Sequence, residues 1–426
     1  MSLALIGTLA AFILIVYLAS RKVPLYLCVL IGTLIVGLSC GYSPMQIAAT
    51  VYSSLIDPAT TNLLAVIALI CISSYLLERF ALLKRAVEAL DRLLPSTKIT
   101  IMLVPMLIGC LTVAGGAIIS APMVDQLGER LKLIPRRKAA INLLFRHAGH
   151  FMFPFTPGII MAANLGGFRT TELAAMMSPI TVALLIGGYL LLLRDTTNVP
   201  RISAASPNRP LQELGSFILN ASPILLPLVL SIILGFDFTL SLSLGILLAV
   251  FLILSASRAA LIEPSPDPSA QETAIPSFRP LDLLRGLYVQ RILLFSTAGI
   301  MIFRGMIVST SVLTPFITGM LTSGVPLAFL AVLFPFLIGY SSGNISSAIG
   351  ICWPLLIAPE LAVPLVPLAM LMYIGGYLGY FFSPLHLCTV LTNGFFEVDI
   401  ANSYRDLAPI FVPLPIIMAL LYVIFH

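Results

Sequence analysis

The sequence predicts an all-α membrane protein, with about ten transmembrane helices plus two re-entrant helical hairpins arranged as an inverted repeat. Three observations predict it. Of 426 residues, 59% are hydrophobic and 10% charged, against about 25% charged in a soluble domain. Charge-free runs such as Ser2–Ser20, Val23–Ser43, Phe238–Ser257 and Pro409–Phe425 approach the ~20 residues that cross a bilayer core as a helix. The two halves of the chain also repeat short motifs in one order.

Crossings are expected at 3–20, 24–42, 60–79, 138–165, 173–193, 217–235, 238–257, 287–308, 362–394 and 408–425. The apolar stretches 99–123 and 327–358 are expected to enter and leave on one side. The first run has no basic segment ahead of it, and Arg21 and Lys22 follow it. It reads as a retained span, not a signal peptide.

Basic residues set the orientation. Arg79, Lys84, Arg85, Arg92 and Lys98 follow the third span, and Arg130, Lys132, Arg136, Arg137 and Lys138 precede the fourth. Arg194, Arg201 and Arg209 follow the fifth, and Arg258, Arg279, Arg285 and Arg291 separate the seventh from the eighth. One topology puts all of these in the cytoplasm and both termini outside. The expected location is the plasma (inner) membrane of a prokaryote. The lipid bilayer is then the first partner. The net charge of +5 forms no basic module interleaved with aromatics, so nucleic acid is not an expected partner.

Residues 195–214 and 258–281 are rich in Pro, Ser and charge, a composition that builds no core. The first linker divides a repeat over 1–194 from one over 215–426, and the cytoplasmic loop of the second repeat runs over 258–285. The six cysteines show no Cys-x-x-Cys spacing and read as small buried hydrophobes.

The repeat rests on three matched pairs. PMLIG at Pro105–Gly109 matches PFLIG at Pro335–Gly339, FTP at Phe155–Pro157 matches FSP at Phe382–Pro384, and GGF at Gly166–Phe168 matches NGF at Asn393–Phe395. Each half contributes an odd number of crossings, so the second enters from the opposite side. Gly115 and Gly116, and Gly339 and Gly343 with their polar neighbours, sit where a turn is favoured over continuous helix. Each stretch then becomes a hairpin. An ordinary packed span is the other reading. The prolines Pro157 and Pro384 remove a helical hydrogen bond in mid-span. The segments Thr156–Gly158 and Ser383–Leu385 are therefore expected to unwind and coordinate a solute, a simple kink being the alternative.

The runs GGAIISAPMVDQLGERL and FRHAGHFMFPFTPG resemble the membrane family called domain of unknown function 401. That family is placed in the ion-transporter superfamily with divalent anion:sodium symporters, citrate transporters and gluconate permeases. FFSPLHLCTVLTNGF looks like the broken-helix segment of the citrate transporters. The resemblance implies two hairpins, two interrupted helices, a substrate held between the four, elevator-type alternating access and a homodimer. It implies one hairpin tip at Gly115, Gly116 and Ala117, and a second at Ser341, Ser342, Gly343, Asn344 and Ser346. The helix breaks fall at Thr156, Pro157, Gly158 and at Ser383, Pro384, Leu385; His386, an ionisable residue in the membrane zone, directly follows the second. The Ser-Asn-Thr tip motif of the symporters is absent, with only Ser342-Gly343-Asn344 loosely similar, so their sodium and dicarboxylate specificity does not carry over.

Ionisable residues inside a membrane need a reason. Arg146, His147 and His150 lie in the fourth span, and the three- and four-residue spacings share a helix face. Arg146 is about 12 Å along the helix from Lys138. An anion clamp with a titrating group is one reading, and a snorkelling arginine with interhelical histidines is the other. Arg304 reads as interfacial, and Asp125 as a cap or an arginine partner. A site of His, Arg and hydroxyls without a carboxylate suits an anion.

The expected function is secondary active transport of a small anion, an organic carboxylate foremost, driven by a proton or sodium gradient. A sodium/proton antiporter of the same architecture is the alternative. His-Glu-x-x-His, Gly-x-Ser-x-Gly and Walker A patterns are absent, so neither an enzyme nor a nucleotide-driven pump is expected. No cofactor or structural metal is expected, and sodium is the one candidate inorganic ligand.

Overall fold

The computed structural model describes residues 3–21, 23–109, 116–196, 209–262, 278–312, 315, 319–320, 322–357 and 364–425. Helices account for the regular structure among them, and no strand occurs. The first half holds α1 (Leu3–Ser20), α2 (Leu25–Ser39), α3 (Pro44–Ile56), α4 (Pro58–Arg79), α5 (Leu82–Leu93), α6 (Thr97–Gly109), α7 (Gly116–Arg130), α8 (Pro135–Ala148), α9 (Pro157–Gly166) and α10 (Thr170–Gly188). The second holds α11 (Arg209–Leu228), α12 (Phe238–Ile262), α13 (Leu281–Val289), α14 (Arg291–Thr310), α15 (Leu327–Ser342), α16 (Ile345–Leu356), α17 (Leu365–Phe382), α18 (Leu387–Phe395), α19 (Ile400–Phe411) and α20 (Leu414–Phe425).

Local chemistry starts these helices. Ser43 and Gln46 form a reciprocal capping box ahead of Pro44, and Asp57 accepts the Thr60 amide at the start of α4. Each satisfies amides that a helix start leaves unpaired. Apolar composition carries the rest. Among the described residues, seven helices are long and apolar enough to cross a membrane: Pro58–Arg79, Thr170–Leu193, Pro210–Ile233, Phe238–Ala256, Arg291–Thr310, Leu365–Phe395 and Ile400–Phe425. Large side chains such as Leu247, Phe251 and Val423 remain exposed on the outer helices, as a lipid-facing surface requires.

Several boundaries differ from the sequence reading. The 24–42 stretch is helical only over α2, and 138–165 is two helices, α8 and α9. The last span begins early, at Ile400, and bends between α19 and α20. The helices α3, α5 and α13 were not anticipated. α5 places Leu83, Ala86, Val87 and Leu90 on a buried face against α11. Its Lys84, Arg85 and Arg92 read only as a basic loop in the sequence. Of the linkers, 209–214 and 258–262 are helical ends, and the remainder lies largely outside the described residues.

The stretches at 99–123 and 327–358 are pairs of short helices. α6 and α7 have 13 and 15 residues, and α15 and α16 have 16 and 12. At 1.5 Å per residue each is roughly 18–24 Å long, short of a ~30 Å hydrocarbon core. The partners of each pair pack on each other. The outer ends of α6 and α7 meet one charged face: Lys98 Nζ donates to the Arg194 carbonyl (3.3 Å), and Arg130 pairs with Asp91 (3.9 Å). Arg136 with Asp406 (2.8 Å) and Lys138 with Asp125 (2.8 Å) sit there too. Asp125 thus pairs with a lysine, not an arginine.

Glycines let the helices approach backbone to backbone. A Cβ on Gly109 of α6 would lie 1.9 Å from the Arg146 carbonyl oxygen of α8, and one on Gly339 of α15 would lie 2.4 Å from the Gly376 oxygen of α17. The two contacts join residues of equal sequence separation, and both glycines close the matched Pro-x-Leu-Ile-Gly motifs. The same packing therefore recurs in both halves. Gly375 and Gly379 extend it along α17, where Cβ atoms would meet the Val332 and Phe336 oxygens at 2.3 and 2.1 Å.

Candidate functional site

Both matched Thr/Ser-Pro segments interrupt a helix. α8 ends at Ala148, a single 3-10 turn covers Gly149–Phe151, and α9 begins at Pro157. α17 ends at Phe382 and α18 begins at Leu387. An interrupted helix strands backbone carbonyls, which cost free energy in a dry interior unless bonded. At the first break Tyr377 donates to the His147 carbonyl (3.3 Å), Tyr373 to that of His150 (2.8 Å) and Thr181 to that of Ala148 (2.8 Å). At the second, Tyr404 donates to the Phe381 carbonyl (2.9 Å). Ser383 donates to the Tyr340 carbonyl (2.5 Å) and accepts the Leu385 amide (3.1 Å).

The second hairpin tip rests on the second break. Gly343 takes a left-handed φ of +62°, and a Cβ there would lie 3.0 Å from the Leu385 carbonyl, so glycine serves both the turn and the contact. Asn344 caps α16 by accepting the Ser347 amide (3.1 Å). Ile345, next along, reaches Gly158 at the first break, 2.8 Å from the position its Cβ would occupy. α7 packs against α18, with Gly116 opening α7 and Ala117 buried. Gly115 lies outside the described residues. The structure thus brings the second tip and both breaks together.

The remaining predicted residues divide. Thr156 is buried and donates to Tyr373 Oη (3.2 Å), because the tyrosine proton is spent on His150. Pro157 is half-buried and Pro384 exposed. Ser341 and Ser342 donate back to carbonyls of their own helix, which leaves only lone pairs for a solute. Ser346 is buried. Arg304 is half-buried, with its Nε unpartnered.

The histidines converge. His147 Nε2 lies 3.1 Å from His386 Nε2 and 3.1 Å from Tyr380 Oη. His147 Nδ1 donates to the Leu143 carbonyl (2.7 Å), so Nε2 carries its lone pair. His386 Nδ1 meets Thr389 Oγ1 at 3.0 Å. His150 packs edge-on against His147, ring centroids 5.0 Å apart. Tyr373, Tyr377 and Tyr380 recur at four- and three-residue steps along one face of α17. That stripe was missed in the sequence although its spacing is legible there.

Arg146 stands one residue before His147 and is 4% exposed. Its Nη1 is buried without a hydrogen-bond partner, and no carboxylate pairs with it among the described residues. A buried charge is costly unless paired, and Arg146 carries that cost here. His147, His386 and Cys388 place ligand atoms within 4.8 Å of one another. The neighbouring Arg146 guanidinium opposes a further positive charge among them.

Replacing Tyr373 or Tyr377 with Phe leaves a buried carbonyl unbonded, at roughly 1–3 kcal/mol. Thermal melts in detergent are expected to show each variant less stable, and the pair less stable than either.

No curated protein matches the chain. A family model described as "Protein of unknown function (DUF401)" matches residues 2–426, and the chain belongs to that family.

Proposed function

We propose that the protein is a secondary active transporter of a small anion, driven by a proton or sodium gradient, and not an enzyme. The observation that carries this reading is Arg146, a guanidinium buried without a counter-ion beside two helix breaks. A planar guanidinium pairs a carboxylate through two parallel hydrogen bonds, so organic carboxylates are the foremost substrate class. The uncapped starts of α9 and α18, where Thr156 and His386 make no side-chain cap, favour negative charge as well. The short paired helices α6–α7 and α15–α16 are re-entrant hairpins in this reading. The repeat gives the site two alternating exits, by elevator motion of a homodimer in the plasma membrane with both termini outside. The resemblance to the ion-transporter superfamily supports the same mechanism.

The test is a thermal-shift panel of inorganic phosphate, sulfate and a mono-, di- and tricarboxylate series on the purified protein, followed by uptake of the stabilising anion into proteoliposomes. A ligand bound at 100 times its Kd stabilises a folded protein by about 2.7 kcal/mol. Stabilisation and gradient-dependent uptake are expected. The absence of both across the panel would reject the proposal.

A further inference from the structure

The His147–His386 contact has a geometry that limits what it can hold. His147 belongs to the first half and His386 to the second, 239 residues apart in sequence, so this hydrogen bond ties one broken helix to the other. In the neutral state every polar atom of the pair is satisfied. His147 donates through Nδ1 to the Leu143 carbonyl, and its Nε2 lone pair accepts from His386 Nε2–H with Tyr380 Oη at the same distance, 3.1 Å. His386 Nδ1 accepts from the Thr389 hydroxyl.

One added proton is accommodated by rotation of the Thr389 hydroxyl hydrogen alone, with no heavy atom moved. It sits on His386 Nδ1, which then donates to Thr389 Oγ1 (3.0 Å) and toward the Phe381 carbonyl (3.5 Å). A hydroxyl can accept as readily as it donates, so Thr389 serves both states. The Nε2–H···Nε2 bond becomes charge-assisted and stronger. A second proton fails. It would place two N–H groups against each other at 3.1 Å, on rings whose centroids are 4.7 Å apart, with Arg146 adjoining.

We infer that the His147–His386 contact is a one-proton binding site joining the two halves, and that the proton is the ion coupled to anion movement. This rests on the anion-transport reading and selects its coupling ion. The groups around the pair are Arg146, His150, Tyr380, Cys388 and Tyr404, of which only the arginine is a fixed charge. The carboxylates on the packed elements α7 and α19 are Asp125, Glu129 and Asp406; Lys138 holds the first two and Arg136 the third. Lys138 precedes His147 by nine residues, roughly 13 Å along the helix. Among the described residues no free carboxylate faces the pair, so a bound anion would supply its counter-charge, and anion and proton must each tighten the other's binding.

The test uses full-length protein labelled with ¹⁵N-histidine in lipid nanodiscs. The chain has four histidines, so single substitutions assign the ring signals. With acidification in the presence of the stabilising anion, or of phosphate and citrate if none is found, the His147 and His386 signals are expected to change together for the uptake of one proton. His386→Gln keeps a donor toward His147 but holds no proton. It is expected to abolish that change, to lower pH-gradient-driven uptake roughly 5–150-fold and to remove the pH dependence of anion-induced thermal stabilisation. His147→Gln is a second variant should the first fail to fold. Independent protonation of both rings, no protonation at any acid pH, or a bound transition metal that shifts both rings would overturn the inference. Uptake that ignores a pH gradient overturns it but leaves anion transport standing. Failure of all uptake and of anion stabilisation rejects the transport reading itself, while the ring signals still report on the proton site.

Discussion

Arg146→Gln is expected to abolish anion-induced stabilisation and gradient-driven uptake while leaving the melting temperature of the anion-free protein unchanged or raised. Truncating one partner of a buried hydrogen-bonded charge pair costs about 2–5 kcal/mol in binding, roughly thirtyfold or more in affinity. The stability half of the expectation separates two roles. A guanidinium that held the fold together by an ion pair would destabilise the protein on removal. Here its Nη1 has no partner, so no ion pair is lost and the desolvation of a charge is relieved. Differential scanning fluorimetry with and without anion reads both effects in one experiment. A large drop in anion-free stability with intact uptake would assign Arg146 to the fold.

The second large effect concerns how the hairpins are held. Gly339→Ala, Gly375→Ala and Gly379→Ala each place a methyl within 2.4 Å of a backbone oxygen on the facing helix. Backbone cannot rotate away as a side chain does, so α15 and α17 must separate. Overpacking of this kind costs 1–3 kcal/mol or more. Here it also displaces the Gly343 tip from the Leu385 carbonyl. The variants are expected to express poorly or melt well below the parent, with anion binding lost even where folding survives. Gly394→Ala is the control, because nothing lies within 4 Å of its Cβ position and alanine is the better helix former. Equal tolerance of all four substitutions would mean that this packing does not position the site.

Much of this was legible before the structure. The helix breaks at Thr156–Gly158 and Ser383–Leu385 followed from prolines in apolar runs, and Arg146, His147, His150 and His386 from the cost of ionisable groups there. The repeated Pro-x-Leu-Ile-Gly motif marked the stretches that form paired short helices, and its glycines prove to make equivalent backbone contacts. Other features were not legible, for physical reasons. The meeting of His147 with His386 joins residues far apart in the chain, which no local periodicity encodes. The tyrosine stripe of α17 was hidden because tyrosine in an apolar span reads equally as core or interface. The amphipathic α5 was hidden by its own basic residues, which mark orientation more loudly than they mark a helix. Span lengths were overstated where turns such as 40–43 carry apolar residues.

The most direct measurement is uptake of the stabilising anion into proteoliposomes under an imposed ion gradient, comparing parent and Arg146→Gln. The account predicts accumulation by the parent that collapses when the gradient is dissipated, and none by the variant. Accumulation that is indifferent to the gradient, or that survives loss of Arg146, would contradict it.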